Sequence, residues 1–81
     1  MKVLLFASLR ESVGESAVEI DVVLPITAGD LKLQAGQQNS AIQKAVEDVT
    51  LLIAINQQVA GDDDMIQDGD EVAMFPPVTG G

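Results

Sequence analysis

Apolar and polar residues alternate in two stretches near the start of the chain, and each stretch predicts a strand. In the first stretch, Val3, Leu5 and Ala7 share the face that we expect in the core. The opposite face, which includes Phe6, is more apolar than contact with water requires. The second stretch, from Ala17 to Val23, places aliphatic residues on one face and acidic residues on the other. A short connector with a helical turn makes the two strands an opening hairpin-like pair.

The middle of the chain has helical spacing. Leu31 and Ala35 fall on one face of a helix, and Thr27 is suited to cap its N-terminus. A polar stretch then predicts a loop. Ser40 is suited to cap a second short helix that extends to Val46, with Val46 facing inward.

The last third of the chain predicts three more strands. Leu51–Ile55 is a continuous apolar run, which is typical of a buried central strand. Val59-Ala60 is a short strand, and Asp68-Gly69 is a strong turn signal before a final strand, Val72–Phe75. The resulting element order predicts an α+β roll, in which a mixed sheet of about five strands carries a helix on one face.

Composition restricts the chain to one small domain with an aliphatic core. The 81 residues are 47% apolar, and Phe6 and Phe75 are the only aromatic residues. The formal net charge is −9. Nucleic-acid binding requires clustered Lys and Arg, so this class of partner is excluded, whereas an acidic surface suits a basic protein partner.

Several kinds of chemistry are excluded by residue type. The chain contains no Cys and no His, which excludes disulfides, a thiolate nucleophile, a histidine base and zinc sites built on these residues. The acidic residues between Asp62 and Glu71 lack the spacing of a calcium loop, so we expect a solvated turn and no metal site. The apolar runs are too short to span a membrane, and no leader segment is evident. We therefore expect a soluble, cytoplasmic protein without a membrane partner.

The C-terminal residues predict an arm that leaves the body of the domain. The strand Val72–Phe75 is followed by Pro76-Pro77, and neither proline can donate to a ladder. We therefore expect a folded domain over residues 1–77 and a flexible tail over residues 78–81. The tail ends in Gly80-Gly81, and a terminal glycine can enter a narrow slot because no side chain blocks its approach. This shape is typical of a carrier whose reactive group is its own C-terminus.

Four segments form a recognisable pattern: Lys2–Ala7 followed by Arg10-Glu11, Ile55–Gln57, Asp68–Val72, and Phe75–Gly81. Together they resemble the small subunits of molybdopterin synthase, a family of ubiquitin-like sulfur carriers with the β-grasp fold. The resemblance covers nearly the whole chain. It is strongest in the final segments and weakest between Gly29 and Asp48, a region rich in Gln.

The resemblance implies that the C-terminus is first a substrate and then a reagent. An ATP-dependent adenylyltransferase of the ubiquitin-activating type would convert Gly81, next to Gly80, to an acyl adenylate. A sulfur donor protein would then replace AMP and leave a thiocarboxylate. Within a heterotetrameric complex with the large subunit, this sulfur would pass to a pterin precursor and form the dithiolene of molybdopterin. The chain itself would have no active site and no bound cofactor, because ATP belongs to the activating enzyme.

Alternation and the resemblance together predict a partner surface. By alternation, Phe6 and Phe75 lie opposite core residues and face outward on neighbouring strands, and exposed aromatic residues in one patch mark partner sites. The resemblance implies that these two residues and Val59 dock on the large subunit, and that Arg10 contributes to the surface. Pro76, Val78 and Thr79 are also predicted to bind the partner, with Val78 and Thr79 forming the arm that enters it.

Other functions share these features. A sulfur carrier for thiazole or cysteine biosynthesis would have the same fold and diglycine. A ubiquitin-like modifier would form an isopeptide bond to lysine, and an interaction module would have an inert tail. The length and the Phe75–Gly81 ending favour the molybdopterin branch.

Overall fold

A mixed five-stranded sheet with helices on one face makes up the body of the protein, in a computed structural model that describes residues 1–77. In chain order the elements are β1 (Lys2–Leu5), α1 (Ala7–Val13), β2 (Ala17–Glu19), β3 (Ile26–Thr27), α2 (Ala28–Gln38), α3 (Ser40–Asp48), β4 (Leu52–Ile55), β5 (Gln58–Ala60), β6 (Met65–Ile66) and β7 (Val72–Phe75). The strand order is β2-β1-β7-β4-β5, and only β1 and β7 pair in parallel within it. This arrangement confirms the predicted α+β fold.

The core lies between the helices and one face of the sheet. Alternation along β1 and β7 places Val3 opposite Val72 and Leu5 opposite Met74, and all four side chains are buried. Burying an aliphatic side chain of this size contributes about 1.5–3 kcal/mol. The core cluster contains no aromatic residue, as predicted, and the helices contribute Leu9, Ala28, Leu31, Ala35 and Ile42 to it.

Helix α1 replaces the predicted connector and begins earlier than expected. Ala7 was predicted to lie on the core face of the first strand, and this prediction is wrong. Ala7 is instead the first residue of α1 and is exposed. Gly14 ends the helix with φ of 87°, a left-handed conformation that glycine adopts without steric cost.

The helical region confirms one predicted cap and corrects the other. The Thr27 hydroxyl accepts a hydrogen bond from the backbone N–H of Asp30, at 3.1 Å. Asn39, and not Ser40, caps α3, because its side-chain oxygen accepts from two backbone N–H groups of the first turn. Val46 is partly exposed and does not face inward as predicted. None of the helices in residues 1–77 combines the length and the hydrophobicity that a membrane span requires.

The predicted second strand is shorter than its pattern suggests. Strand β2 ends at Glu19, and Val23 is exposed. Two two-residue strands were not predicted, and they pair with each other through Ile26 and Ile66, which are both buried. Strands this short carry too few residues for alternation to be recognised.

The acidic loop between β5 and β6 is exposed, but it is more than a solvated turn. Its backbone carbonyls at Asp62 and Asp64 accept hydrogen bonds from the first two N–H groups of α2, at 3.0 and 2.9 Å. Lys32 forms an ion pair with Asp62 at 2.8 Å and also donates to the Leu51 carbonyl. The loop therefore caps α2 from outside the helix.

Candidate partner-docking face

The sheet face opposite the core is a continuous apolar surface. Cross-strand register places Ala17, Leu4, Ala73, Ala54 and Val59 in one row across all five strands. Alternation directs these side chains away from Val3, Leu5 and Met74. Consistent with this direction, Ala54 and Ala73 do not belong to the core cluster although they are largely buried.

The two aromatic residues extend this surface at one end of the sheet. Phe75 is directly opposite Leu52 in the β4–β7 pair. The backbone N–H of Phe6 donates to the Met74 carbonyl at 3.3 Å, which continues the parallel ladder one residue beyond β1. Phe6 and Phe75 are therefore lateral neighbours on the outer face. Phe6 is 48% exposed and Phe75 is half-buried. Their predicted outward orientation is confirmed.

Val59 lies on the edge strand β5, where it is 67% exposed. A two-residue turn joins β5 to β4, and its residues Asn56 and Gln57 have φ of 52° and 70°. The Asn56 side chain accepts from the backbone N–H of Glu71 and donates to the carboxylate of Asp70. These bonds attach the hairpin to the residues before β7, and so they fix the position of Val59 relative to the rest of the face.

The carboxylate of Asp70 accepts two hydrogen bonds. The Gln67 backbone N–H donates to one carboxylate oxygen at 2.8 Å, and the Asn56 amide donates to the other at 3.0 Å. These donors stabilise the charged form and lower the pKa of Asp70, the Gln67 bond having the larger effect. Residues 1–77 contain no group of three or more His, Cys, Asp or Glu side chains arranged to hold a metal ion.

Arg10 lies on the exposed surface of α1, one turn after Phe6. Its backbone N–H donates to the Phe6 carbonyl at 3.3 Å, and its guanidinium forms no ion pair with another residue of the described range. Arg10 therefore lies one helical turn from Phe6, which belongs to the apolar face. Its role in binding stays a prediction.

The chain leaves β7 beside the aromatic pair. Because β7 runs parallel to β1, the C-terminal ends of both strands lie at the same end of the sheet. Pro76 directly follows Phe75 there and is half-buried. The other predicted arm and reactive residues, Val78, Thr79, Gly80 and Gly81, lie outside the described residues.

Known proteins are similar to this chain in both its small mixed sheet and its sequence, and the comparison with them identifies its family. The ThiS family model matches residues 3–81, almost the entire chain. The chain belongs to the ThiS family. Its relatives include the molybdopterin synthase sulfur carrier subunits of Escherichia coli, 46% identical over 81 residues, and of Haemophilus influenzae, 37% identical over 81 residues. Each comparison covers 100% of this chain and 99% of the relative.

Solved structures confirm the ubiquitin-like β-grasp fold of this ThiS-family chain. The crystal structure of SAMP1 from Haloferax volcanii superposes with a TM-score of 0.80 at 32% identity. The comparison covers 100% of this chain and 98% of that one.

Part of the apolar face was not predicted from the sequence. Leu52 and Ala54 belong to a continuous apolar run, which predicts burial but does not distinguish the two faces of a strand. The sequence does contain one signal for this face: in the first strand, the side opposite the core is also apolar and includes Leu4. A strand with two apolar faces in so small a domain indicates that one of them meets a partner.

Proposed function

We propose that this protein is the sulfur carrier subunit of a molybdopterin synthase, with the C-terminal carboxylate as the group that carries sulfur. The main support for this proposal is the 46% identity to the Escherichia coli sulfur carrier subunit. The alignment extends over all 81 residues and so includes the positions of the diglycine. The absence of Cys from the chain supports the terminal carboxylate as the attachment point, because no side chain can hold a persulfide.

The chemistry requires activation of Gly81 by another enzyme. A carboxylate is a poor acyl donor, so an ATP-dependent adenylyltransferase would form the acyl adenylate and release pyrophosphate. Hydrosulfide delivered by a donor protein would attack the acyl carbon, the bond to AMP would break, and a thiocarboxylate would remain. Gly80 would allow the backbone to approach both active sites closely.

The large subunit would dock on the apolar face. Phe6, Phe75 and Val59 combine exposure with large apolar side chains, the composition expected at the centre of an interface. Pro76 follows Phe75 at the same end of the sheet, so docking there would direct Val78 and Thr79 into the partner's active site. Arg10 would contribute at the rim.

Mass spectrometry of the purified protein tests the carrier function. Protein from sulfur-replete cells should carry one oxygen-to-sulfur exchange, and fragmentation should locate it at Gly81. A chain with one alanine added after Gly81 is the matched control and should show no exchange. Wild-type protein without the exchange, isolated from cells that make molybdopterin, would contradict the proposal.

We also propose a cytoplasmic location, where ATP for the activating enzyme is available.

A second candidate is protein modification. It is favoured by the similarity to Haloferax volcanii small archaeal modifier protein 1, which has a TM-score of 0.78 at 29% identity and is covered over 97% of its length. A modifier would use the same adenylate but transfer the acyl group to a lysine amine. The same spectrometry would then find branched peptides with Gly81 linked to lysine in place of the sulfur exchange.

A further inference from the structure

Ala7 has a backbone conformation that residues with a Cβ atom rarely adopt. Its φ is 57°, in the left-handed region, where the Cβ of any L-residue approaches the backbone closely. The other non-glycine residues of the described range with positive φ are Asn56 and Gln57, and the two-residue hairpin turn requires it there. Ala7 is not in a hairpin. Its side chain is exposed, so packing of the methyl group does not account for the strain.

The conformation of Ala7 connects two fixed points. On one side, Phe6 is extended, with φ of −132° and ψ of 162°, and its N–H continues the β1–β7 ladder. On the other side, the Phe6 carbonyl accepts from Arg10 in the first turn of α1, and the helix then buries Leu9 in the core. The chain therefore changes from strand to helix at a single residue.

A right-handed conformation at Ala7 would not satisfy both constraints. Rotating φ by more than 100° would redirect all of the chain on one side of Ala7. Either Leu9 would leave the core, or Phe6 would lose its hydrogen bond to Met74 and turn away from Phe75. The left-handed residue thus keeps Phe6 as the last extended residue, with its ring on the outer face.

We propose that Ala7 is a positioning residue for partner docking, which acts by holding the Phe6 ring beside Phe75 on the apolar face. This inference rests on the proposed function, because it assumes that the large subunit docks on this face. Strained backbone that persists next to an exposed aromatic residue is the pattern expected where strain serves a binding site.

The chain offers a direct probe of ring position. Phe6 and Phe75 are its only aromatic residues, so fluorophenylalanine labelling gives two resonances, assigned with Phe6→Leu and Phe75→Leu. The test variants are Ala7→Val, whose branched Cβ disfavours the left-handed region, and Ala7→Gly, which adopts it without cost. Gly14→Val is the matched control, because Gly14 has φ of 87° at the opposite end of α1 and nothing lies within 4 Å of its Cβ position.

We expect Ala7→Val to shift the Phe6 resonance and to weaken binding to the large subunit about tenfold, the effect of a displaced interface anchor. Binding is measured at a temperature at which circular dichroism shows each variant fully folded. Ala7→Gly should keep both the wild-type resonance and the wild-type affinity. Gly14→Val should lower the unfolding temperature yet bind within about twofold of wild type, because its strain lies away from the aromatic pair.

Two results would overturn the role of Ala7. One is wild-type affinity in folded Ala7→Val, and the other is an equal loss in Gly14→Val, which would indicate a general loss of stability. If Ala7→Val does not fold, the proposal is tested on the wild-type protein instead. A nuclear Overhauser contact between the Phe6 and Phe75 rings is expected there, and its absence would contradict the proposal. Phe6→Ala distinguishes failure of the docking hypothesis from failure of the positioning hypothesis. Normal binding by Phe6→Ala would contradict docking on this face. Weakened binding by Phe6→Ala, together with normal binding by Ala7→Val, would contradict only the positioning role of Ala7.

Discussion

The side-chain amide of Asn56 donates to the carboxylate of Asp70 at 3.0 Å, and this bond joins the β4–β5 hairpin to the loop before β7. The pair is at the surface, but both partners make a second bond: Asp70 accepts from the Gln67 N–H and Asn56 from the Glu71 N–H. The hairpin that carries Val59 is therefore held by side chains that a change of pH can affect.

We expect this network to weaken in acid. The lowered pKa of Asp70 means that the folded state favours the charged carboxylate more than the unfolded state does. Its contribution to stability is therefore present above the ordinary Asp pKa, about 4, and is lost as pH falls through the lowered value. Asp70→Asn should remove part of the decrease in urea-unfolding stability between neutral and acidic pH. Asp63→Asn, whose carboxylate makes no hydrogen bond within residues 1–77, should leave the decrease unchanged, and equal slopes for the two variants would contradict this role.

The last residue should determine activity without affecting stability. Deleting Gly81, or adding one residue after it, should abolish molybdopterin formation because the reactive carboxyl group is removed or displaced. The core lies within residues 1–77, so the thermal midpoint should stay within about one degree of wild type. Sulfur transfer assays and calorimetry measure the two quantities. Normal transfer by either variant would contradict the tail mechanism.

Phe75 should contribute more to binding than to folding. Phe75→Ala should weaken binding to the large subunit by about 2 kcal/mol, as loss of an aromatic anchor does. Since Phe75 is only half-buried, the free energy of unfolding should fall by less than the ~3–5 kcal/mol of a buried Phe. The adjacent Met74 is fully buried, so Met74→Ala is the control and should show the opposite order of effects. Severe unfolding of Phe75→Ala with unchanged binding would place Phe75 in the core.

The acidic loop should affect the association rate more than the chemistry. Asp62→Asn and Asp63→Asn each remove one negative charge, so both should slow association with a basic partner slightly at low salt. Only Asp62→Asn removes the ion pair to Lys32, and since Asp62 is mostly exposed the stability loss should be below about 1 kcal/mol. Stopped-flow binding and urea unfolding measure these effects. Loss of sulfur transfer at saturating partner in either variant would indicate a functional site in the loop.

Gln57 offers a stabilising substitution. Its φ of 70° is unfavourable for a residue with a Cβ, and Asn-Gly is the preferred sequence for this turn. Gln57→Gly should raise the free energy of unfolding by about 0.5–1 kcal/mol. Gln58→Gly, one residue later in β5, should lower it instead, because glycine weakens a strand. A loss of stability in Gln57→Gly would mean that its side chain has contacts that outweigh the strain.

The sequence predicted the sheet and its outward aromatic pair because alternation directly encodes which face of a strand is buried. Alternation carries no information on φ, so it continued the first strand through Ala7 and missed the helix start. Asn39 and Ser40 are both good caps and are adjacent, so the choice between them depends on where the preceding helix ends. The contacts of Asp62 with α2 depend on residues about thirty positions apart and have no local signal.

The pairing of β1 with β7 has a consequence for synthesis of the protein. β7 is the last strand to be made, yet it occupies the middle of the sheet and separates β1 from β4. A nascent chain that lacks β7 therefore has two unconnected strand pairs and neither a closed core nor a continuous outer face. Contacts of such long sequence separation form late in folding. A product that ends before β7 lacks the continuous face on which we propose that the large subunit docks, so it would not compete with finished chains for that partner.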